Sequence, residues 1–134
     1  MNTIEQHKET VRRLYEEVIT SGNLAQLTEI FDENYTGIGI GQGPAAFQKA
    51  VEELLLAFPD LAWTVHDVFG EGDKVAIRWS WKGTHREPFK GIPASGKTVT
   101  NDANAIYQFR GNKIIFSWLQ SDRLGVLQQL DVRP

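Results

Sequence analysis

The apolar residues of this sequence change their spacing about halfway along the chain. As far as Phe58 they recur every three or four positions, which predicts helices. From Leu61 onward they alternate with polar residues, which predicts half-buried strands of an antiparallel sheet. Helices that precede a block of strands are typical of the α+β class, whereas a parallel α/β sheet would alternate the two.

Three helices are predicted in the first part of the chain. The first follows the capping residue Thr3 and stops at Gly22, which can take the positive φ of a helix end. A short second helix covers residues 24–31. A glycine-rich connection with room for one extended piece, residues 35–43, then leads into an amphipathic third helix over residues 44–58.

Four long antiparallel strands and a short closing helix are predicted in the second part. The strands run from residue 61 to a turn at 70–73, and over 74–82, 99–109 and 113–121, while the helix covers 123–130. A long helix laid across a strongly curved sheet leaves a cone-shaped space that tends to hold a ligand pocket. We therefore expect one domain, residues 1–134, in which a cone-shaped barrel of curved antiparallel sheet wraps around three N-terminal helices.

Composition and charge argue against several classes of function. The 134 residues include no cysteine, which removes disulfides and thiolate chemistry and fits a reducing, cytoplasmic location. No apolar run is long enough to span a bilayer, and the first residues lack the pattern of a secretory signal. The net charge of −3 and the scattered basic residues argue against a nucleic-acid surface. The expected partners are small molecules and other copies of the chain.

The segment from Gly91 to Thr98 matches the phosphate-loop pattern G-x-x-x-x-G-K-[ST] letter for letter. That pattern binds phosphates where a helix leaves the loop, because the helix N–H groups then converge on the ligand. Residues 99–109 instead alternate and are rich in strand-forming side chains. We therefore interpret the segment as a strand-to-strand loop at the rim of the pocket.

Four pieces of the chain carry a resemblance to a known family. They are Gly43-Pro44 with Phe47 and 57–61; residues 70–79; Gly83-Thr84-His85 with Phe89 and 91–93; and residues 122–130. In order and spacing they resemble the SnoaL-like polyketide cyclases of the nuclear-transport-factor-2-like superfamily. The resemblance implies the cone-shaped fold over nearly the whole chain. It leaves the reaction open, since the superfamily includes cyclases, isomerases, dehydratases, epoxide hydrolases and non-catalytic binders.

In the cyclases, the resemblance implies acid–base chemistry by a His and an Asp on neighbouring strands. These two positions correspond to Ala105 and Leu119 in this sequence, and two further polar positions of the family correspond to Ile38 and Phe116. None of these four side chains can carry a proton. The pocket is therefore expected to be unusually apolar.

Three other polar residues are the candidates for catalysis. Asp122 lies between the last strand and the closing helix, where a partly desolvated carboxylate could act as a general base. Its alternative role is to cap that helix. Asp102 and Asn104 lie two positions apart on a strand and so share a face, which either lines the pocket or is solvated.

Six residues are the candidates for ligand binding. The aromatic members favour an apolar pocket, and they are Tyr15, Tyr35, Trp63 and Trp118. Gln120 shares a face with Trp118 and could orient a water or a carbonyl group, and His85 ends a strand near the rim loop. The three histidines lack the spacing of metal ligands, so no metal and no cofactor are expected.

The last strand is apolar on both faces, which predicts a homodimer because both faces then need cover. Two functions stay open. One is an enzyme of the cyclase, isomerase or hydrolase kind, which acts on a hydrophobic carbonyl compound or polyketide-like metabolite by carboxylate acid–base chemistry. The other is a non-catalytic protein that binds a hydrophobic metabolite. They are distinguished by whether the polar candidates point into the pocket, which depends on the register of the hairpin around Gly111.

Overall fold

The computed structural model describes residues 3–132, which form four helices and six strands. Helix α1 (Thr3–Arg13) continues directly into a π-helical segment (Leu14–Ile19), and a 3-10 turn (Leu24–Gln26) leads into α2 (Leu27–Ile30). The other helices are α3 (Pro44–Ala57) and α4 (Arg123–Gln129). The strands are β1 (Phe31–Ile38), β2 (Gly41–Gln42), β3 (Ala62–Glu71), β4 (Lys74–Thr84), β5 (Thr98–Arg110) and β6 (Lys113–Ser121).

All six strands belong to one sheet, in the order β2-β1-β6-β5-β4-β3. Every neighbouring pair is antiparallel except β1 and β6, which run parallel. The predicted α+β class and cone-like architecture are confirmed. The predicted barrel is corrected in one respect, because β2 and β3 form free edges and the curved sheet does not close.

Strand β1 occupies part of what the sequence pattern assigned to a helix and a connection. Its buried residues Phe31, Tyr35 and Gly37 do not alternate regularly, because the pairing with β6 shifts between Phe31 and Thr36. Gly37 is required where β1 passes β6, since a Cβ atom at this position would collide with the Tyr35 hydroxyl and Ser117. This irregularity hid the strand in the apolar pattern.

The core lies between the helices and one face of the sheet, which we call the inner face. On β5 every second residue from Val99 to Phe109 is buried and belongs to this face. His7 fixes α1 to the turn after β5, because its Nε2–H donates to the Gly111 carbonyl over 2.9 Å and its ring stacks on Phe109. No helix within residues 3–132 combines the length and apolarity needed to cross a membrane.

Candidate functional site

A cavity of about 400 Å³ opens between the inner face of the sheet and the helices α3 and α4. Its floor comes from three adjacent strands: Trp79 and Trp81 of β4, Asn101 of β5, and Leu119 and Ser121 of β6. The register explains why they meet, since Trp81 pairs with Asn101 and these positions lie on one face. Its walls are largely apolar and include Leu54, Phe89, Ile92, Val126 and Leu127.

Asn101 is the buried polar residue of the cavity floor. It is 9% exposed, and its Oδ1 has no hydrogen-bond partner within residues 3–132. A buried amide oxygen without a partner costs about 1–3 kcal/mol of stability, and here it leaves an acceptor at the cavity floor without a protein donor. The sequence contained a signal for it, because Asn101 is in phase with the buried residues Val99 and Ala103.

The loop between β4 and β5 supplies one wall of the cavity. Phe89 and Ile92 exchange two backbone hydrogen bonds of 2.9 Å around the turn residues Lys90 and Gly91. Both turn residues have positive φ, 49° and 80°, as in the tight turns that match the twist of a hairpin. The phosphate-loop pattern therefore lies in a strand-to-strand loop at the cavity rim, as predicted.

The carboxylate and amide predicted on β5 do not face the cavity. Asp102 and Asn104 share a face as expected, but it is the exposed outer face, where Asn104 pairs with Arg78 on one side and Gln120 on the other. Their assignment to the pocket is corrected because the buried phase of β5 is the odd-numbered one. Acid–base chemistry by Asp102 in the cavity would require its side chain to point inward.

Asp122 serves as the N-cap of α4, which is the alternative role that the sequence suggested. Its carboxylate accepts the Gly125 N–H over 2.9 Å, and its side chain is exposed outside the cavity lining. Trp118 and Gln120 also lie on the outer face, since they pair with Ile106 and Asn104. Asp122 thus takes the capping alternative, and the expectation that Trp118 and Gln120 line the pocket is corrected because both lie on the outer face.

The remaining aromatic candidates are packed in the core rather than along the cavity. Tyr15 in the π-helical segment and Tyr107 on β5 hydrogen-bond through their hydroxyl groups, and burial raises the pKa of both. Tyr35 hydrogen-bonds Ser117 over 2.6 Å, and burial raises its pKa as well. Trp63 packs against Tyr15 with ring centroids 5.4 Å apart. Tyr15 also packs on Trp79, with ring centroids 5.5 Å apart, and so contacts a residue of the cavity floor.

His85 is fully buried at the base of the rim loop. Its Nδ1 accepts the Ser95 N–H over 3.3 Å and lies 3.0 Å from the Ser95 hydroxyl oxygen. Its ring packs on Phe58 with centroids 5.4 Å apart. It therefore braces the loop that carries Phe89 and Ile92, and it is not part of the cavity lining.

The two positions to which the family resemblance assigns a proton-transferring His and Asp pair with each other on the inner face. Ala105 and Leu119 are opposite each other on β5 and β6, and Leu119 lines the cavity. Ile38 and Phe116, the other two apolar replacements, belong to the outer side of β1 and β6. Both inner positions are thus apolar in this chain, and Leu119 contributes an apolar side chain to the cavity floor.

A family model of SnoaL-like polyketide cyclases matches residues 9–130, and no curated protein matches the chain. A candidate polyketide cyclase from Acidithiobacillus ferrooxidans is 32% identical, with a TM-score of 0.83 over 98% of both chains. IdmH, a candidate polyketide cyclase from Streptomyces antibioticus, is 27% identical, with a TM-score of 0.82 over 95% of this chain and 99% of that one.

A candidate SnoaL-like polyketide cyclase from Jannaschia sp. CCS1 has the same architecture over its full length. It is 25% identical, with a TM-score of 0.88 over 100% of this chain and 98% of that one. The shared fold extends across nearly every element described above, including the strands that form the cavity floor.

Proposed function

This chain belongs to the SnoaL-like polyketide cyclase family, and we propose that its cavity binds a small, largely apolar molecule with a hydrogen-bonding group that reaches the cavity floor. The observation that carries the proposal is the Asn101 side chain at the cavity floor, which is nine-tenths buried and whose Oδ1 has no hydrogen-bond partner within residues 3–132. A ligand group that pairs with this amide would recover the hydrogen bond that folding leaves unmade.

The lining supports a flat, apolar ligand body. Trp79, Trp81 and Phe89 present aromatic surface, and Leu119 adds an aliphatic side chain from the neighbouring strand. A volume of about 400 Å³ lies within the range of sites for small organic molecules. A hydroxylated or carbonyl-bearing ring system, as in polyketide-like metabolites, combines a flat apolar body with a hydrogen-bonding group.

Calorimetric titration with naphthaleneethanol, a neutral probe with an aromatic body and one hydroxyl group, tests the proposal. We expect measurable binding to the unmodified protein and a loss of at least about tenfold in Ala50→Phe, because Ala50 lines the cavity and the new ring would occupy it. Ala45→Phe places the same ring on the exposed side of α3 and is the matched control. Absence of binding, or equal binding by both variants, contradicts the proposal.

A second candidate function is acid–base turnover of the bound molecule. It is favoured by Glu53 of α3, the carboxylate among the cavity-lining residues, and by the cyclase family to which the chain belongs. The test is a screen with ketone, lactone and epoxide substrates, followed by Glu53→Gln. Turnover that survives in Glu53→Gln excludes this residue as the base, and binding without turnover leaves the protein a binder.

We also propose that two copies of the chain form a homodimer through the outer face of the sheet. Ile38, Trp118 and Ile106 lie side by side on β1, β6 and β5, and all three are at least 37% exposed. Phe116 packs on Trp118 with ring centroids 4.6 Å apart and extends this apolar patch. A two-fold axis through the patch would cover it on both copies at once.

A further inference from the structure

Two cations and one carboxylate line the mouth of the cavity. Lys90 comes from the tight turn of the rim loop, Arg123 from the first residue of α4, and Glu53 from α3. Neither cation forms an ion pair with any residue between 3 and 132. The Asp122 carboxylate precedes Arg123 in sequence, but it caps α4 through the Gly125 N–H.

Both cations occupy positions that are locally unfavourable for them. Lys90 has a φ of 49°, in the left-handed region that glycine and asparagine adopt more easily than lysine. Arg123 begins a helix, where its charge opposes the partial positive charge of the free N–H groups. A backbone or helix-dipole cost of this kind is expected where a side chain serves ligand binding, and here two such side chains lie at one cavity mouth.

The Lys90 ammonium group lies close to the cavity wall. Its Nζ is 5.6 Å from the centre of the Phe89 ring, and Phe89 itself lines the cavity. The charge is thus held over an apolar wall at the entrance, where an ionic group on a bound molecule would emerge. In a chain with a net charge of −3, this entrance carries two cations against one lining carboxylate.

We propose that the ligand is an amphipathic organic acid, with its largely apolar body in the cavity, a hydrogen-bonding group of that body beside Asn101, and its carboxylate at the mouth beside Lys90 and Arg123. This inference rests on the proposed binding function and specifies the chemical class of the ligand. Arg123 offers the planar pair of donors that suits a carboxylate, and Lys90 adds a second charge from the rim loop.

Three probes with the same aromatic body and different head groups separate this inference from the proposed function. They are naphthaleneacetate, naphthaleneethanol and naphthaleneethylammonium, titrated calorimetrically at neutral pH and low salt. We expect the acid to bind about fivefold to tenfold more tightly than the alcohol, because two partly solvated charge contacts contribute modestly, and the amine to bind most weakly. The preference should shrink at high salt.

Variants at the mouth test the assignment of the two cations. In Lys90→Gln/Arg123→Gln the acid and the alcohol should bind equally, whereas Arg12→Gln/Lys82→Gln removes the same charge away from the cavity and should retain the preference. Glu53→Gln should strengthen acid binding about twofold to threefold, since it removes the repelling carboxylate. Lys90→Glu/Arg123→Glu should make the amine the preferred probe.

The results of these titrations distinguish the proposed binding function from the inference that the ligand is an organic acid. Equal binding of the acid and the alcohol by the unmodified protein overturns the organic-acid inference and leaves the binding function standing. A preference for the acid that persists in Lys90→Gln/Arg123→Gln overturns the assignment of the charge contacts. Binding of none of the three probes overturns the binding function and this inference together.

Discussion

Asn101 and Asp102 are neighbours on β5, yet Asn101 lies at the floor of the cavity and Asp102 lies on the opposite, solvated face of the sheet. A shift of one residue along a strand exchanges the two faces. At this position of the cavity floor a ligand therefore meets an amide, which can donate and accept hydrogen bonds but does not transfer protons at neutral pH.

Replacement of Asn101 by leucine should stabilise the protein and weaken ligand binding. Asn101→Leu removes an unpaired buried amide and fills the same space with apolar atoms, so the free energy of unfolding should rise by about 1–2 kcal/mol. The affinity for naphthaleneethanol should fall about fivefold, because the partner of its hydroxyl group is lost. Chemical denaturation and calorimetry measure the two effects.

The matched control for this prediction is Asn104→Leu on the outer face of the same strand. It makes the same change of side chain outside the cavity, so ligand affinity should stay as in the unmodified protein. If Asn101→Leu destabilises the fold and leaves affinity intact, Asn101 is a structural residue and not the anchor of the ligand.

The outcome on β5 shows what the sequence could predict and what it could not. The pairing of Asp102 with Asn104 on one face follows from the period of a strand and is correct. The face that the helices cover can be recognised only from all the alternate residues of the strand together. The apolar residues Ile106 and Trp118 lie on the outer face, so both faces of the sheet resembled a core in the sequence. Asn101 was overlooked because it is a single polar residue in an otherwise apolar phase.

The α+β order and most element boundaries were predictable because long regular patterns produce them. Strand β1 was not, since its irregular pairing with β6 breaks the period of two. The parallel contact between β1 and β6 joins residues that are far apart in sequence, and no local pattern encodes such a contact.

The stability of the folded protein should fall steeply above pH 10. All three tyrosines, Tyr15, Tyr35 and Tyr107, are buried, and burial raises the pKa of each above its ordinary value of 10.0. The unfolded chain therefore loses these protons at a lower pH than the folded protein, so their contribution is fully present below pH 10 and is lost as the pH rises toward the folded values. Each tyrosine should contribute about 1.4 kcal/mol per pH unit in that window.

Tyrosinate absorbance and denaturation followed on one sample check this expectation. The folded protein should show almost no tyrosinate just above pH 10, and the absorbance should then appear together with cooperative unfolding. Tyr35→Phe should reduce the pH dependence by about one third, because one of the three groups is removed. Gradual ionisation of a fully folded protein would show that these hydroxyl groups are accessible.

Association through the outer face should depend on Trp118. Trp118→Arg places a charge at the centre of the patch formed with Ile38 and Ile106, and like charges would meet across a two-fold interface. We expect a dimer of the unmodified chain and a shift to the monomer in this variant, measured by sedimentation equilibrium. Leu56→Arg changes an equally apolar exposed residue on α3 and should leave the dimer intact.

The imidazole of His85 should control the order of the rim loop. His85→Phe keeps a ring beside Phe58 but removes the nitrogen that accepts the Ser95 N–H, so the loop loses its side-chain brace. Trypsin, which cleaves after lysine and arginine, should then cut at Lys90 several-fold faster, while the free energy of unfolding falls by about 1 kcal/mol. Binding of naphthaleneethanol should weaken as well, because Phe89 and Ile92 no longer form a fixed wall.

His66→Phe is the matched control for this loop prediction, since His66 forms its hydrogen bond to Ser80 over 2.8 Å on the exposed side of β3 and β4. It removes an imidazole from the sheet without contact to the loop, so cleavage at Lys90 should be unchanged. Ser95→Ala separates the two contacts of His85, because it deletes the hydroxyl group and keeps the backbone N–H. An intermediate cleavage rate is expected for it, and a rate equal to that of the unmodified protein in both loop variants would show that the backbone alone holds the wall of the cavity.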